Sequence, residues 1–233
     1  MAIRTVLRRD FILHSGAAVA AGLFDTPVRA RKATEAPQTP QSPQTPARTP
    51  VILVLGDSLS AEYGLPRGSG WVALLEKKLA QEKIPATVVN ASISGETTSG
   101  GRARLPALLA QHHPSVVVIE LGGNDALRGL ALQHTEENLV AMVQAAQQAG
   151  AKVLLVGMQV PPNYGAAYTQ RFAALFPKVA RAHKAALVPF LLAGVADGPD
   201  PTASFQPDRI HPNVQAQPRL LANVWPQLVK LLR

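Results

Sequence analysis

From residue 51 onward the chain alternates short, continuous apolar runs with longer amphipathic stretches. Val51-Ile52-Leu53-Val54-Leu55 is apolar at every position and rich in β-branched residues. Such a run fits a strand covered on both faces, not one with a face in water. The same texture returns at 86–91, 115–121, 152–158 and 186–190, so strands are expected there too. Between them, apolar residues recur at helical spacing. Trp71, Leu74, Leu75 and Leu79 share one face of a helix expected over 71–83, with Glu76, Lys77 and Lys78 between them. Further helices are expected over 102–112, with Pro106 near the start, and over 167–184, where Pro177 should kink or split the helix. Thr135 reads as the N-cap of another, with Glu136 and Glu137 in its first turn and Gly150 just past its end. From Pro212 a last helix carries Leu220, Leu221, Val224, Leu228 and Leu231, and Pro226 should bend it. Strands that alternate with helices specify a parallel sheet covered on both faces. Right-handed crossovers restrict its topology, and the expected class is α/β with a five-stranded, flavodoxin-like sheet. Ligands in such sheets bind at the carboxyl ends of the strands, near the switch point.

The first fifty residues have another texture. Arg4, Arg8 and Arg9 precede an apolar, Gly/Ala-rich stretch from Phe11 to Phe24, followed by Pro27 and the small-residue ending Val28-Arg29-Ala30. This is the build of a secretory signal peptide over 1–30, too short for a comfortable membrane span. Arg8-Arg9-Asp10-Phe11-Ile12-Leu13 resembles a twin-arginine export signal, and the Gly/Ala-rich run favours that route over the general secretory one. An uncleaved anchor is a third option. Residues 31–50 repeat Pro, Gln and Thr, which cannot build a core, and read as a linker. The expected organisation is thus leader 1–30, linker 31–50 and one globular domain over 51–233, exported to the periplasm or secreted.

Composition narrows the chemistry. The 233 residues include no cysteine, which removes disulfides, thiolate nucleophiles and thiolate metal sites. Neither a cofactor nor a metal is expected. The formal net charge is +8, but the basic residues are scattered and few aromatics lie among them. That pattern does not suit a nucleic-acid binder; at most it suits transient contact with an anionic membrane surface. A monomer is expected.

Four polar segments, the first three containing glycine, follow the expected strands: Gly56-Asp57-Ser58-Leu59-Ser60, Ser94-Gly95-Glu96, Gly122-Gly123-Asn124-Asp125, and Asp208-Arg209-Ile210-His211-Pro212. Taken singly, Ser58 reads as a helix cap, Asn124 as a turn residue and Asp208 with His211 as a surface loop. Together they hold the parts of a nucleophilic ester cleavage. A serine hydroxyl needs a base within hydrogen-bond reach; His211 could serve, and Asp208 could orient it. The Ser58 N–H, the Gly95 N–H and the Asn124 amide could donate to an oxyanion. Asp57 and Asp125 suit backbone hydrogen bonding better than reaction. There is no G-x-S-x-G elbow and no P-loop.

These segments resemble the four blocks of the SGNH/GDSL hydrolases. The stretches VILVLGDSLSAEYG, VVNASISGETTSGGRARLPALL, VIELGGNDALRG and RIHPNVQAQP, with the PPNYG loop, resemble the bacterial thioesterase I / lysophospholipase / arylesterase branch. The resemblance covers nearly all of 51–233. It implies a three-layer α/β/α sandwich and cofactor-free hydrolysis of acyl esters and thioesters. It also implies a Ser58, His211, Asp208 triad and an oxyanion hole from Ser58, Gly95 and Asn124. Glu62 and Glu96 depart from the branch, which usually has glycine and aspartate there.

The expected substrate is a small acyl ester or lipid. Pro161, Pro162, Asn163, Tyr164 and Gly165 are candidates to contact it. Tyr168, Phe172, Leu175 and Phe176 either flank an acyl pocket or face the core. Export favours a lysophospholipid or other lipid ester over acyl-CoA, a cytoplasmic metabolite. Two other readings stand beside this one: a glycan O-acetylesterase, and a non-catalytic lipid- or glycan-binding domain.

Overall fold

A computed structural model describes residues 48–198 and 200–233. The leader expected over 1–30 and most of the linker expected over 31–50 lie outside the described residues. The elements run β1 (Val51–Gly56), α1 (Trp71–Gln81), β2 (Thr87–Asn90), α2 (Thr98–His112), β3 (Val116–Glu120), α3 (Gly123–Leu127), α4 (Leu132–Gln148), β4 (Lys152–Val156), α5 (Ala166–Ala182), β5 (Ala186–Val188) and α6 (Gln217–Leu231). Single 3-10 turns lie at Pro162–Tyr164, Pro201–Ser204 and Val214–Ala216.

All five strands are parallel, in the order β2-β1-β3-β4-β5, so the expected flavodoxin-like α/β fold holds. Helices α1 and α6 pack together, as do α2 and α4, and α4 and α5. The runs Ile52–Leu55, Val116–Ile119 and Leu154–Val156 are fully buried. That two-sided burial is why these strands are apolar at every position rather than alternating. Burial of Trp71, Phe172 and Phe176 completes the core. β1 leads to β2 on one side while β3 lies on its other side. The crossovers diverge there, and a crevice opens at the carboxyl ends of β1 and β3.

Four local expectations need correction. Helix α2 begins four residues before Arg102, with the Thr97 side chain accepting the Gly100 N–H, so Pro106 lies in its interior. Thr135 does not cap α4, which starts at Leu132. Its buried hydroxyl instead donates to Asp125 Oδ1 at 3.3 Å. Helix α5 continues through Pro177 without being split. The one-turn helix α3 was not expected, because Gly122-Gly123 reads as a loop; Gly122 sits at φ +119°, where glycine carries no steric penalty.

Candidate active site

β1 ends at Gly56 and the chain turns sharply, the Asp57 carbonyl accepting the N–H groups of Ser60 and Ala61 at 3.2 and 3.0 Å. The turn lifts Ser58, half-buried, onto the carboxyl edge of the sheet. The chain leaving β5 returns to the same edge in a small loop closed by a bridge between Phe205 and Pro212. At its tip, Asp208 Oδ1 accepts the N–H groups of Ile210 and His211 at 2.9 and 3.0 Å. Asp208 Oδ2 lies 2.7 Å from His211 Nδ1. His211 Nε2 lies 2.9 Å from Ser58 Oγ. With Nδ1–H donating to the carboxylate, Nε2 carries the lone pair that accepts the serine O–H. Burial alone would raise the Asp208 pKa; hydrogen bonds from the His211 and Ile210 N–H groups and the imidazole outweigh it and lower it to about 2. Asp208 is therefore ionised at every pH where such a histidine could act as a base.

Tyr63 closes one side, its ring centroid 4.5 Å from that of His211. Gln206 Nε2 donates to the Tyr63 carbonyl at 2.9 Å and ties the two loops together. Glu62, next to Tyr63, has φ +59°, a left-handed conformation that favours glycine. Its carboxylate accepts the N–H groups of Gly68 and Gly70 at 3.0 and 2.7 Å. A glutamate thus stands at a glycine-favouring position and clamps the loop. Glu96 reaches along α2 to Arg104 Nε at 2.7 Å.

Around Ser58, neither its own N–H nor that of Gly95, at φ +80°, has a hydrogen-bond partner among the described residues. The Asn124 amide is different: Nδ2 donates to Asp57 Oδ2 and to the Glu96 carbonyl, each at 3.0 Å. Asp57 thereby fixes the plane of the carboxamide, and one of its hydrogens must be shared or redirected before it can serve an oxyanion. Arg128 Nη2 donates to the Gly95 carbonyl at 2.8 Å.

Beneath this layer lies a buried acidic pair that the sequence reading missed. Asp57 Oδ1 accepts the Leu59 N–H at 3.0 Å. Glu120, at the end of β3, accepts the Ser60 hydroxyl at 2.8 Å and the Asp57 N–H at 3.3 Å. Ser60 in turn accepts the Trp71 indole N–H at 3.1 Å. Gly56 leaves room for this pair, since a Cβ there would stand 2.8 Å from Glu120 Oε2. The available signal was a lone acid in the otherwise apolar run SVVVIEL. Burial raises the Asp57 pKa to about 6 against the lowering pull of the Leu59 N–H. Burial and the Asp57 charge push Glu120 well above the usual carboxylate range.

The raised Asp57 pKa sets a direction for stability. Between the ordinary 3.8 and about 6 the folded chain holds a proton that the unfolded chain has released, so this group favours folding less as pH rises. Asp208 acts oppositely and lower: its contribution is present above 3.8 and is lost as pH falls through about 2. In urea denaturation, the wild-type stability relative to Asp57→Asn should therefore fall by on the order of 2 kcal/mol from pH 4 to 7. A pH-independent difference would show that Asp57 titrates normally.

Pro161, Pro162, Asn163, Tyr164 and Gly165 form the loop between β4 and α5 on the same edge of the sheet. No hydrogen bond or ring contact joins them to Ser58 or His211 among the described residues. Tyr164 stacks on Tyr168 at 6.3 Å. Phe172 and Phe176 are fully buried core residues, packed edge to face at 5.5 Å.

The GDSL-like lipase/acylhydrolase family profile matches residues 54–217. Esterase TesA of Pseudomonas aeruginosa is 55% identical over 186 residues, which cover 80% of this chain and 91% of that protein. Thioesterase 1/protease 1/lysophospholipase L1 of Escherichia coli K12 is 45% identical over 172 residues, or 74% of this chain and 80% of the other. The crystal structure of TesA superposes with a TM-score of 0.75 at 55% identity, covering 78% of this chain and 99% of that one.

Proposed function

The chain belongs to the GDSL-like lipase/acylhydrolase family, and from that premise we propose that Ser58, His211 and Asp208 carry out its ester hydrolysis through an acyl-enzyme. The observation that carries this reading is the hydrogen-bonded line Asp208–His211–Ser58, at 2.7 and 2.9 Å, beside two N–H groups that have no partner among the described residues. Ser58 Oγ attacks the ester carbonyl while His211 Nε2 takes its proton. The oxyanion is met by the Ser58 and Gly95 N–H groups and by Asn124. The imidazolium, balanced by Asp208, returns the proton to the leaving alcohol or thiol as the C–O or C–S bond breaks. Water then attacks the acyl-enzyme, with His211 again as base, and releases the acid and Ser58. The chain's own groups supply every proton transfer in this scheme.

The substrate is a small-molecule acyl ester. The finer reading is a lipid ester, of which a lysophospholipid is the leading candidate, handled outside the cytoplasm after export of a monomer. The relatives named esterase and thioesterase/lysophospholipase support this choice, as does the exposed Tyr63 ring beside His211. The net charge of +8 agrees with transient contact with an anionic membrane.

The test is a turnover profile of residues 31–233 over para-nitrophenyl esters of increasing chain length, with lysophosphatidylcholine and acetylated xylan alongside. Turnover of the lysolipid, with kcat/KM rising from acetyl to medium chains by at least about tenfold, supports the lipid reading. Activity confined to acetyl groups on sugar would replace it with an O-acetylesterase. Inertness on every ester would favour a binding domain.

A further inference from the structure

While Ser58 is free, the His211 imidazole is held at both ends, Nδ1 by Asp208 at 2.7 Å and Nε2 by Ser58 Oγ at 2.9 Å. In an acyl-enzyme, Ser58 Oγ carries the acyl group and has no hydrogen left to donate. Only the bond to Asp208 then remains, and a ring held at one atom can pivot about it. Deacylation nevertheless needs Nε2 in the same place. The water oxygen adds to the acyl carbonyl carbon as Nε2 takes one water proton. The Oγ–C bond then breaks as Nε2 gives that proton to Oγ, leaving the carboxylic acid and the free serine.

The side chain set beside the imidazole is Tyr63. Its ring centroid lies 4.5 Å from that of His211, with the planes tilted by 39°. The His211 side chain is only 16% exposed, whereas Tyr63 is half open to water. An open ring would ordinarily drift, but the Tyr63 backbone is fastened on two sides. Its N–H donates to the Ser58 carbonyl at 3.4 Å. Its carbonyl accepts Gln206 Nε2 at 2.9 Å, and the Gln206 N–H donates to the His211 carbonyl at 2.8 Å. Gly64, at φ +68°, lets Gln206 come this close, since a Cβ there would collide with Gln206 Oε1. Tyr63 is thus tied to the turn that carries the serine and to the loop that carries the histidine. The contact is between rings, so a phenylalanine would preserve it.

We propose that Tyr63 is a positioning residue that keeps the His211 imidazole aimed at the reacting centre while Ser58 is acylated, and so serves deacylation more than acylation. The proposal rests on the acyl-enzyme reading of Ser58. Wild type, Tyr63→Leu, Tyr63→Phe, Gln206→Met and Ser58→Ala are compared on para-nitrophenyl butyrate. Its activated leaving group makes acylation fast, so kcat reports deacylation and kcat/KM reports acylation. Acid-quenched samples are weighed by mass spectrometry for protein-bound acyl groups, and melting temperatures report the fold.

In Tyr63→Leu, kcat should fall by about tenfold and KM with it, so that kcat/KM stays within about threefold of wild type. The quenched variant should carry more bound butyryl than wild type, as slowed deacylation requires. Tyr63→Phe should restore most of the lost kcat, and Gln206→Met should shift kcat and KM in the same direction as Tyr63→Leu. A Tyr63→Leu variant with wild-type kcat overturns the proposal. So does a fall in kcat at unchanged KM, the mark of a damaged fold or a slowed acylation. A raised KM at unchanged kcat overturns it in favour of a substrate-binding wall, and a Tyr63→Phe variant as slow as Tyr63→Leu overturns the ring contact as its cause. An inert wild type, or a Ser58→Ala variant that still turns over the ester, sinks the acyl-enzyme reading and this proposal with it. An inert Ser58→Ala beside a Tyr63→Leu variant that behaves like wild type sinks only the role of Tyr63.

Discussion

Ser58→Ala is expected to lower kcat on any ester by at least about 10³-fold, with little change in KM. In the proposed scheme this hydroxyl forms the acyl-enzyme, and no other hydroxyl is hydrogen-bonded to His211 among the described residues. Ser60, two residues on, faces inward to Glu120 and Trp71. Its Oγ is committed to the buried acidic pair and cannot substitute. Residual activity above the water reaction would come from the N–H groups of residues 58 and 95. The variant should fold normally, since it removes one half-buried oxygen. Measuring kcat on a short-chain ester together with the melting temperature decides the matter; near wild-type turnover would remove Ser58 as nucleophile.

Asp208→Asn should cost about 10³–10⁴-fold in kcat for a different reason. Oδ1 of Asp208 accepts two backbone N–H groups, from Ile210 and His211. An asparagine must keep its oxygen there, because its NH₂ cannot accept. The NH₂ is then turned toward His211 Nδ1, where Oδ2 stood at 2.7 Å. Donor would face donor unless the imidazole moved its proton to Nε2. In that tautomer Nε2 donates toward Ser58 Oγ instead of accepting from it, and the base is lost while the geometry stays. Steady-state kinetics beside a proton NMR signal for the Nδ1–H would test this. A variant with more than about a tenth of wild-type kcat would show that Asp208 is dispensable.

Much of this arrangement was readable along the chain. The runs at 51–55, 115–121 and 152–158 announced β1, β3 and β4, because burial on both faces leaves runs of consecutive apolar residues rather than an alternating pattern. The start of α2 was obscured by Thr97-Thr98-Ser99-Gly100-Gly101, residues of low helix propensity that normally mark a loop. What overrides propensity there is tertiary: the Thr98 N–H donates to Asp125 at 2.8 Å, and its hydroxyl donates to the same carboxylate. Thr135 misled for the same reason, since its hydroxyl serves Asp125 rather than the end of α4.

At the site, the residue types and their order were enough to single out Ser58, Gly95, Asn124, Asp208 and His211. Their supports were not legible. Asp57 and Asn124 stand 67 positions apart in sequence, and the tilted contact of Tyr63 with His211 joins two loops far apart in sequence. Glu120 gave only a faint sign, one acid in an apolar strand, with nothing local to say that it meets Ser60 and Asp57 in the interior.

Because every strand points the same way, Val51 enters the sheet at the edge opposite Ser58, a separation of roughly 20 Å for six residues of strand. The final residues finish at that same far edge: Lys152, which opens β4, donates to the carbonyls of Leu231 and Arg233 at 2.8 and 2.9 Å. Beads, polymers or fused partners attached through either end would therefore hold the domain from behind and leave substrate free to approach. Immobilisation through the loops on the other edge would cover Ser58 instead.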